Sequence, residues 1–158
     1  MNITLVEFLL VTALALFSFS DLRYRLAPGI EAFFLAAVLI AVPASPWNTA
    51  LVVIACAWGC LEQIPGFISF PILFYPPAWP VLLTGFGVRH DMIGRADLLA
   101  VAGLACIFPW TALVMAMLAL ELWRRFWVSR QTGPVPALPG LLFGILAYLF
   151  LRTFIPSA

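Results

Sequence analysis

Long apolar stretches alternate with short polar stretches along this chain. Four of the apolar stretches cover residues 3–20, 30–42, 48–61 and 138–155, and a longer one covers residues 98–122 with Pro109 inside it. A helix that crosses a bilayer needs about 20 apolar residues, and fewer where its flanking side chains snorkel to the interface. The pattern therefore predicts an all-α, polytopic membrane protein with about six transmembrane helices.

Residues 67–88 are apolar too, but Pro71, Pro76, Pro77 and Pro80 interrupt them. Because each interior proline removes a helix hydrogen bond, this stretch is a broken helix, a re-entrant segment or a full span. Cytoplasmic loops collect arginine and lysine. If every loop that contains arginine is cytoplasmic, the favoured membrane topology is one in which residues 67–88 do not cross as a simple span.

Composition narrows the class of protein. Of the 158 residues, 65% are hydrophobic and 9% charged, with a mean hydropathy of +1.11. Soluble domains have about 25% charged residues, and at this length they bury only about two-thirds of their chain surface. The composition excludes a soluble enzyme and predicts one membrane-embedded domain over residues 1–158. The first apolar stretch carries Glu7 and lacks a basic region before it, which favours a retained helix over a cleaved signal peptide.

Charge and cysteine content exclude further functions. The eight cationic side chains, all arginine, are scattered among seven carboxylates, so nothing in the sequence supports a nucleic-acid partner. Cys56, Cys60 and Cys106 form no metal-ligand motif and are interpreted as small apolar core residues. We therefore expect neither a metal nor another cofactor. The single histidine, His90, is interpreted as an interfacial residue.

Two aspartates stand out among the carboxylates because of their neighbours. Asp21 closes the first apolar stretch and opens the charged segment that contains Arg23 and Arg25. Asp97 follows Gly94-Arg95-Ala96, whose small residues permit a close approach of backbone or substrate. The favoured topology places both carboxylates at the cytoplasmic edge. Simpler structural roles are an i,i+4 ion pair of Asp21 with Arg25 and a helix N-cap for Asp97.

These residues resemble the type IV prepilin peptidase family of membrane aspartyl proteases, including its archaeal preflagellin peptidase branch. The segment from Asp21 to Pro28 is similar to the family's first D-x-x-x-R-x-x-P-like motif, and Gly94-Arg95-Ala96-Asp97 is similar to its G-x-A-D motif. The proline-rich residues 134–139 are similar to the segment before the family's last helix. The resemblance covers nearly the whole chain.

The resemblance implies an endopeptidase of a prokaryotic cell membrane that removes the short basic leader of prepilin-like proteins at the cytoplasmic face. Asp21 and Asp97 would be the catalytic pair, supported by Arg23, Arg25, Gly94, Arg95 and Ala96. The chain departs from many relatives at Gly29, where they have Asn, and at Leu99, where bacterial members have Lys. It also lacks the cysteine-rich segment of the bifunctional bacterial enzymes.

Two other functions stay open at this point. Pro136-Ala137-Leu138 also occurs in presenilin-type and signal-peptide-peptidase-type proteases, whose aspartates lie on adjacent helices inside the membrane. A non-enzymatic scaffold or transport subunit is the other alternative, since an interrupted segment such as residues 67–88 suits a membrane cavity.

Overall fold

The structure, a computed structural model, describes residues 4–61, 74–90, 92–130 and 135–154. These residues form seven α-helices, and no strand occurs among them, which confirms the all-α prediction. The helices are α1 (Leu5–Tyr24), α2 (Ile30–Ala41), α3 (Pro46–Cys60), α4 (Trp79–Arg89), α5 (Arg95–Ile107), α6 (Trp110–Val128) and α7 (Leu138–Phe154).

Most helices agree with the hydropathy pattern, and the main difference is at the end of α1. The prediction ended this helix at Ser20, before the charged segment, whereas α1 continues to Tyr24 and contains Asp21. Helix hydrogen bonding continues through polar residues where nothing breaks it, and α1 ends only at Arg25, in the left-handed conformation with φ 57°. Asp21 therefore lies in the last turn of a helix and not in a loop.

Pro109 explains the break between α5 and α6. Phe108 ends α5 in extended conformation (φ −94°, ψ 148°), as expected for the residue before a proline, and α6 starts directly after Pro109. The predicted interruption of residues 98–122 is confirmed. The first part of the predicted 67–88 segment, residues 67–73, lies outside the described residues. Its second part is a 3-10 turn, Pro76–Ala78, followed by the 11-residue α4.

Three of the apolar helices are shorter than a typical membrane span. Among the described residues, only α1 is both long and apolar enough to span a bilayer. The apolar helices α2, α3 and α7 have 12, 15 and 17 residues. At a rise of about 1.5 Å per residue, α2 is about 18 Å long, against a hydrocarbon core of about 30 Å. The six-helix topology consequently stays a prediction.

The chain divides into two compact units. Unit 1 comprises Met1–Pro28 and Thr111–Ala158, and unit 2 comprises Gly29–Trp110. Unit 1 therefore holds α1, α7 and all but the first residue of α6, while unit 2 holds α2 to α5. The expectation of a single domain over residues 1–158 stays a prediction.

In unit 1, α1 and α7 run antiparallel. Leu138 at the start of α7 contacts Asp21 near the end of α1, and Arg152 near the end of α7 contacts Glu7 near the start of α1. Close helix packing fixes α6 against α7, because the Gly144 backbone lies against the backbone of Ala116. These contacts join α1, near the start of the sequence, to α7, which also packs against α6.

In unit 2, α5 packs against α2, α3 and α4. Its buried side chains Leu98, Val101 and Leu104 form much of the core of this unit. The α3 and α4 backbones approach each other at Gly59 and Gly85, where a Cβ on Gly59 would lie 2.6 Å from the Gly85 Cα. Unit 2 thus holds the N-terminus of α5, which bears Asp97, against the ends of α3 and α4.

Glu7 and Arg152 form an ion pair that the hydropathy pattern did not predict. Arg152 Nη1 donates to Glu7 Oε1 at 2.7 Å, and Glu7 is only 9% exposed. The same carboxylate accepts the Thr4 backbone N–H in a capping box that begins α1. The two residues are 145 positions apart in sequence, and the fold pairs them within unit 1.

We expect Glu7→Gln to destabilise the protein more than Glu121→Gln does. Loss of a hydrogen-bonded charge at a buried site costs about 1–3 kcal/mol in the free energy of unfolding. Glu121 also binds two arginines, Arg124 and Arg125, but on an exposed surface where ion pairs contribute little. Thermal unfolding of the two variants in detergent micelles measures the difference. Equal shifts for both would contradict a stabilising role of the Glu7–Arg152 pair.

Candidate active site

Asp21 is half-buried and lies against the N-terminus of α7. Its Oδ2 accepts the backbone N–H of Leu138, the first residue of α7, at 3.3 Å, and the backbone N–H of Ala137 also interacts with the carboxylate. The first N–H groups of a helix have no partner within that helix and carry the positive end of its dipole. Asp21 therefore caps α7 from another helix.

The proline-rich segment before α7 is held from a third helix. Trp123 on α6 donates its indole N–H to the Pro136 carbonyl oxygen at 2.7 Å. Pro134, where the predicted motif starts, lies outside the described residues, while Leu138 and Pro139 are buried. The fold thus brings the Pro136-Ala137-Leu138 sequence directly to Asp21.

The two arginines of the first motif contact aromatic rings. Arg23 Cζ lies 5.2 Å from the centroid of the Tyr24 ring, and Arg25 Cζ lies 4.7 Å from that of the Trp127 ring. Both arginines are exposed. The backbone N–H of Arg25 donates to the Asp21 carbonyl oxygen at 3.1 Å and closes the helix. Arg25 is left-handed and stacks on Trp127. Its charge also acts on the Asp21 carboxylate, as the sequence pattern suggested.

Asp97 is half-buried in the first turn of α5. Gly94 is the N-cap of this helix, and its N–H donates to Asp97 Oδ2 at 3.2 Å. The interpretation of Asp97 as the N-cap itself is wrong by three residues, since Asp97 stands at the third helical position. The carboxylate still lies at the positive end of the helix dipole.

The residues of the second motif surround this carboxylate. A Cβ on Gly94 would lie 3.3 Å from Asp97 Oδ2, so the glycine allows the carboxylate to approach the backbone closely. Arg95 is exposed at the first position of α5, and Ala96 is half-buried beside it. The structure thus groups Gly94 to Asp97 in unit 2 and Asp21, Arg23 and Arg25 in unit 1. The pairing of Asp21 with Asp97 stays a prediction.

A polar cavity of about 210 Å³ lies at the end of unit 2 that bears the second motif. Cys60, Arg89, Gly94 and Arg95 are among its lining residues. Sequence interpretation used Arg89 only as a marker of a cytoplasmic loop and treated Cys60 as a core residue. Cys56 and Cys106 are buried as expected, but Cys60 is half-buried and faces this cavity. Gly94 and Arg95 belong to the second motif, but only the packing of α3, α4 and α5 places Cys60 and Arg89 beside them.

His90 and Glu31 lie on the surface of unit 2. His90 is exposed, and its ring centroid lies 4.3 Å from that of Phe86. Glu31 is exposed in the first turn of α2. Glu62 and Asp91 lie outside the described residues, and no cluster of three or more potential metal ligands occurs within the described ranges.

Comparisons of the chain with protein-family models, with curated proteins and with solved structures find no match.

Proposed function

We propose that this chain is a membrane aspartyl endopeptidase of the prepilin peptidase type, with Asp21 and Asp97 as its catalytic pair. Its substrates are prepilin-like proteins, which carry a short basic leader before an apolar helix. Cleavage takes place where the leader meets that helix, at the cytoplasmic membrane face of a prokaryotic cell. The proposal joins the motif resemblance to the local geometry of each carboxylate.

The observation that carries the proposal is the contact of Asp21 with the N-terminus of α7. The resemblance selects three short segments that are remote from one another in sequence. In unit 1, two of them are in contact, since Asp21 accepts the N–H of Leu138 at 3.3 Å. Such a contact between the first and third motifs is expected if both contribute to one site.

The two carboxylates supply general acid–base chemistry. Two carboxylates that face each other share one proton, because like charges at short distance do not both ionise readily. The ionised member removes a proton from a water molecule, which attacks the scissile carbonyl carbon. The protonated member donates its proton to the carbonyl oxygen, and a tetrahedral intermediate forms without a covalent bond to the enzyme.

Backbone hydrogen bonds hold both carboxylates for this chemistry. Leu138 N–H fixes Asp21, and Gly94 N–H fixes Asp97, each at a helix N-terminus. A positioned carboxylate avoids the entropic cost of finding the reactive geometry in each turnover. Both carboxylates also lie on helices, which position a side chain more precisely than loops do.

The arginine distribution supports the cytoplasmic placement of Asp21. In unit 1, Arg25 stacks on Trp127 near the end of α6, so the arginines that flank Asp21 share an end with Arg124, Arg125 and Arg130. The opposite end carries Arg152, which is paired with Glu7. Such asymmetry is typical of cytoplasmic ends. We extend this to a multi-pass topology of about six crossings.

Leader removal by the purified protein tests this function. We expect the chain, reconstituted in neutral phosphatidylcholine nanodiscs, to cleave a co-reconstituted prepilin-like substrate once, directly before its apolar helix. Mass spectrometry of the new N-terminus locates the cut. A substrate that stays intact in these nanodiscs would contradict the proposed activity.

A presenilin-type protease is the second candidate, because Asp21 contacts the Pro136-Ala137-Leu138 sequence that this class also contains. The position of the cut separates the two functions. Cleavage within the substrate's apolar helix would favour the presenilin type, while cleavage before it favours the prepilin peptidase type. The carboxylate chemistry is the same in both.

A further inference from the structure

We propose that the cavity between the ends of α3, α4 and α5 binds the phosphate group of an anionic phospholipid. The inference rests on the membrane placement given under the proposed function, but not on peptidase activity. The cavity has a volume of about 210 Å³, several times the share of about 30 Å³ that one water molecule occupies in the liquid. It is therefore large enough for a phosphate group.

Two guanidinium groups belong to the lining of the cavity. Arg89 at the end of α4 and Arg95 at the start of α5 both line it. Guanidinium groups recognise phosphate oxygens through paired, charge-assisted hydrogen bonds. A phosphodiester, which keeps one negative charge at any physiological pH, matches this lining.

Arg89 is held in place before any ligand binds. Its Nε donates to the Trp58 carbonyl oxygen at 2.9 Å, and its Nη2 donates to the Leu61 carbonyl oxygen at 2.9 Å. Its Cζ lies 4.4 Å from the centroid of the Trp58 ring. These contacts fix the guanidinium group at the C-terminal end of α3, so binding loses little side-chain entropy.

The surroundings favour a lipid over a soluble phosphate compound. The cavity lies among the ends of apolar helices, and Leu83 and Phe86 on α4 and Met92 after it are more than half exposed. An acyl chain can lie along this apolar surface while its headgroup enters the polar cavity. Basic pockets between membrane helices on the cytoplasmic side are a known setting for anionic headgroups.

Cys60 provides a direct reporter, since it lines the cavity while Cys56 and Cys106 are buried. The probe is N-ethylmaleimide, a neutral thiol reagent, applied to the full chain in nanodiscs of phosphatidylcholine or of phosphatidylcholine with phosphatidylglycerol. Peptide mapping by mass spectrometry gives the labelling rate of each cysteine. We expect about tenfold slower labelling of Cys60 when phosphatidylglycerol is at about ten times its Kd, since about one site in eleven is then empty. Unchanged labelling of Cys56 and Cys106 shows that the protein stays folded.

Substitution of the cationic lining provides the matched comparison. Arg95→Gln removes one charge from an exposed position, and we expect it to weaken phosphatidylglycerol binding about tenfold. At the same lipid concentration, the slowing of Cys60 labelling then falls from about elevenfold to about twofold. Arg130→Gln removes an exposed arginine that stacks on Phe126 in unit 1, and we expect it to leave the effect intact. The comparison uses the ratio of labelling rates in the two lipids for each variant, which cancels any change in intrinsic thiol reactivity.

Three results decide the proposal. Equal Cys60 labelling in both lipids, or equal effects of Arg95→Gln and Arg130→Gln, would overturn it. Protection by millimolar inorganic phosphate as strong as that by phosphatidylglycerol would identify a free phosphate compound and reject the lipid. Because leader cleavage is tested in neutral nanodiscs, failure of lipid binding and failure of the peptidase proposal are separate outcomes.

Discussion

Asp21→Asn and Asp97→Asn should each abolish leader removal while leaving the protein folded in the membrane. Loss of a positioned general acid or base lowers a rate by about 100-fold to 10,000-fold. Asparagine has nearly the size of aspartate and keeps a carbonyl oxygen that accepts the N–H of Leu138 or Gly94. It does not exchange a proton with water or substrate, so the chemistry is lost while the hydrogen bonds that position each side chain persist.

The chain offers a matched control for these variants. Asp91 is the remaining aspartate of the sequence and belongs to neither motif. We expect Asp91→Asn to process the substrate at the parental rate. Cleaved and uncleaved substrate are separated by gel mobility, and membrane content of each variant is measured by immunoblot. Parental processing by both the Asp21 and the Asp97 variants would reject the catalytic pair.

Gly144→Ala should strongly destabilise unit 1. A Cβ at this position would lie 2.3 Å from the Ala116 Cα and 2.7 Å from the Met115 carbonyl oxygen. Both contacts are with backbone atoms of α6, so no side-chain rotation relieves them and the two helices must separate. Overpacking costs about 1–3 kcal/mol and sometimes more, which exceeds the gain of about 1 kcal/mol from the higher helix propensity of alanine. Thermal unfolding in detergent, followed by tryptophan fluorescence, measures the loss.

Ala147→Val is the control on the same helix. Ala147 is exposed, so added methyl groups meet no neighbouring helix, and we expect a small change in the unfolding temperature. A Gly144→Ala variant as stable as the parent would show that α6 and α7 are not packed as closely as the structure has them. Because Gly144 lies on the helix that Asp21 caps, we also expect the variant to lose peptidase activity.

The second motif is local in sequence, whereas the contact between the first and third motifs is not. Gly94 and Asp97 belong to one short segment, so the sequence alone predicted that they lie at the start of a helix. Only the N-cap was assigned wrongly, because it is Gly94 and not Asp97. The contact between Asp21 and Leu138 joins residues 117 positions apart, and no local pattern contains it. The resemblance named both segments, but the antiparallel packing of α1 and α7 is what brings them together.

The amino-acid sequence by itself determined the all-α character of the chain, the positions of most helices and the break at Pro109. Hydropathy, proline geometry and helix capping act over a few residues, and each is therefore visible in a local window. Tertiary structure alone decided the Glu7–Arg152 pair, the capping of α7 by Asp21 and the cavity formed by Cys60, Arg89 and Arg95. Each depends on groups from different helices, and their proximity follows from packing that a linear pattern does not encode.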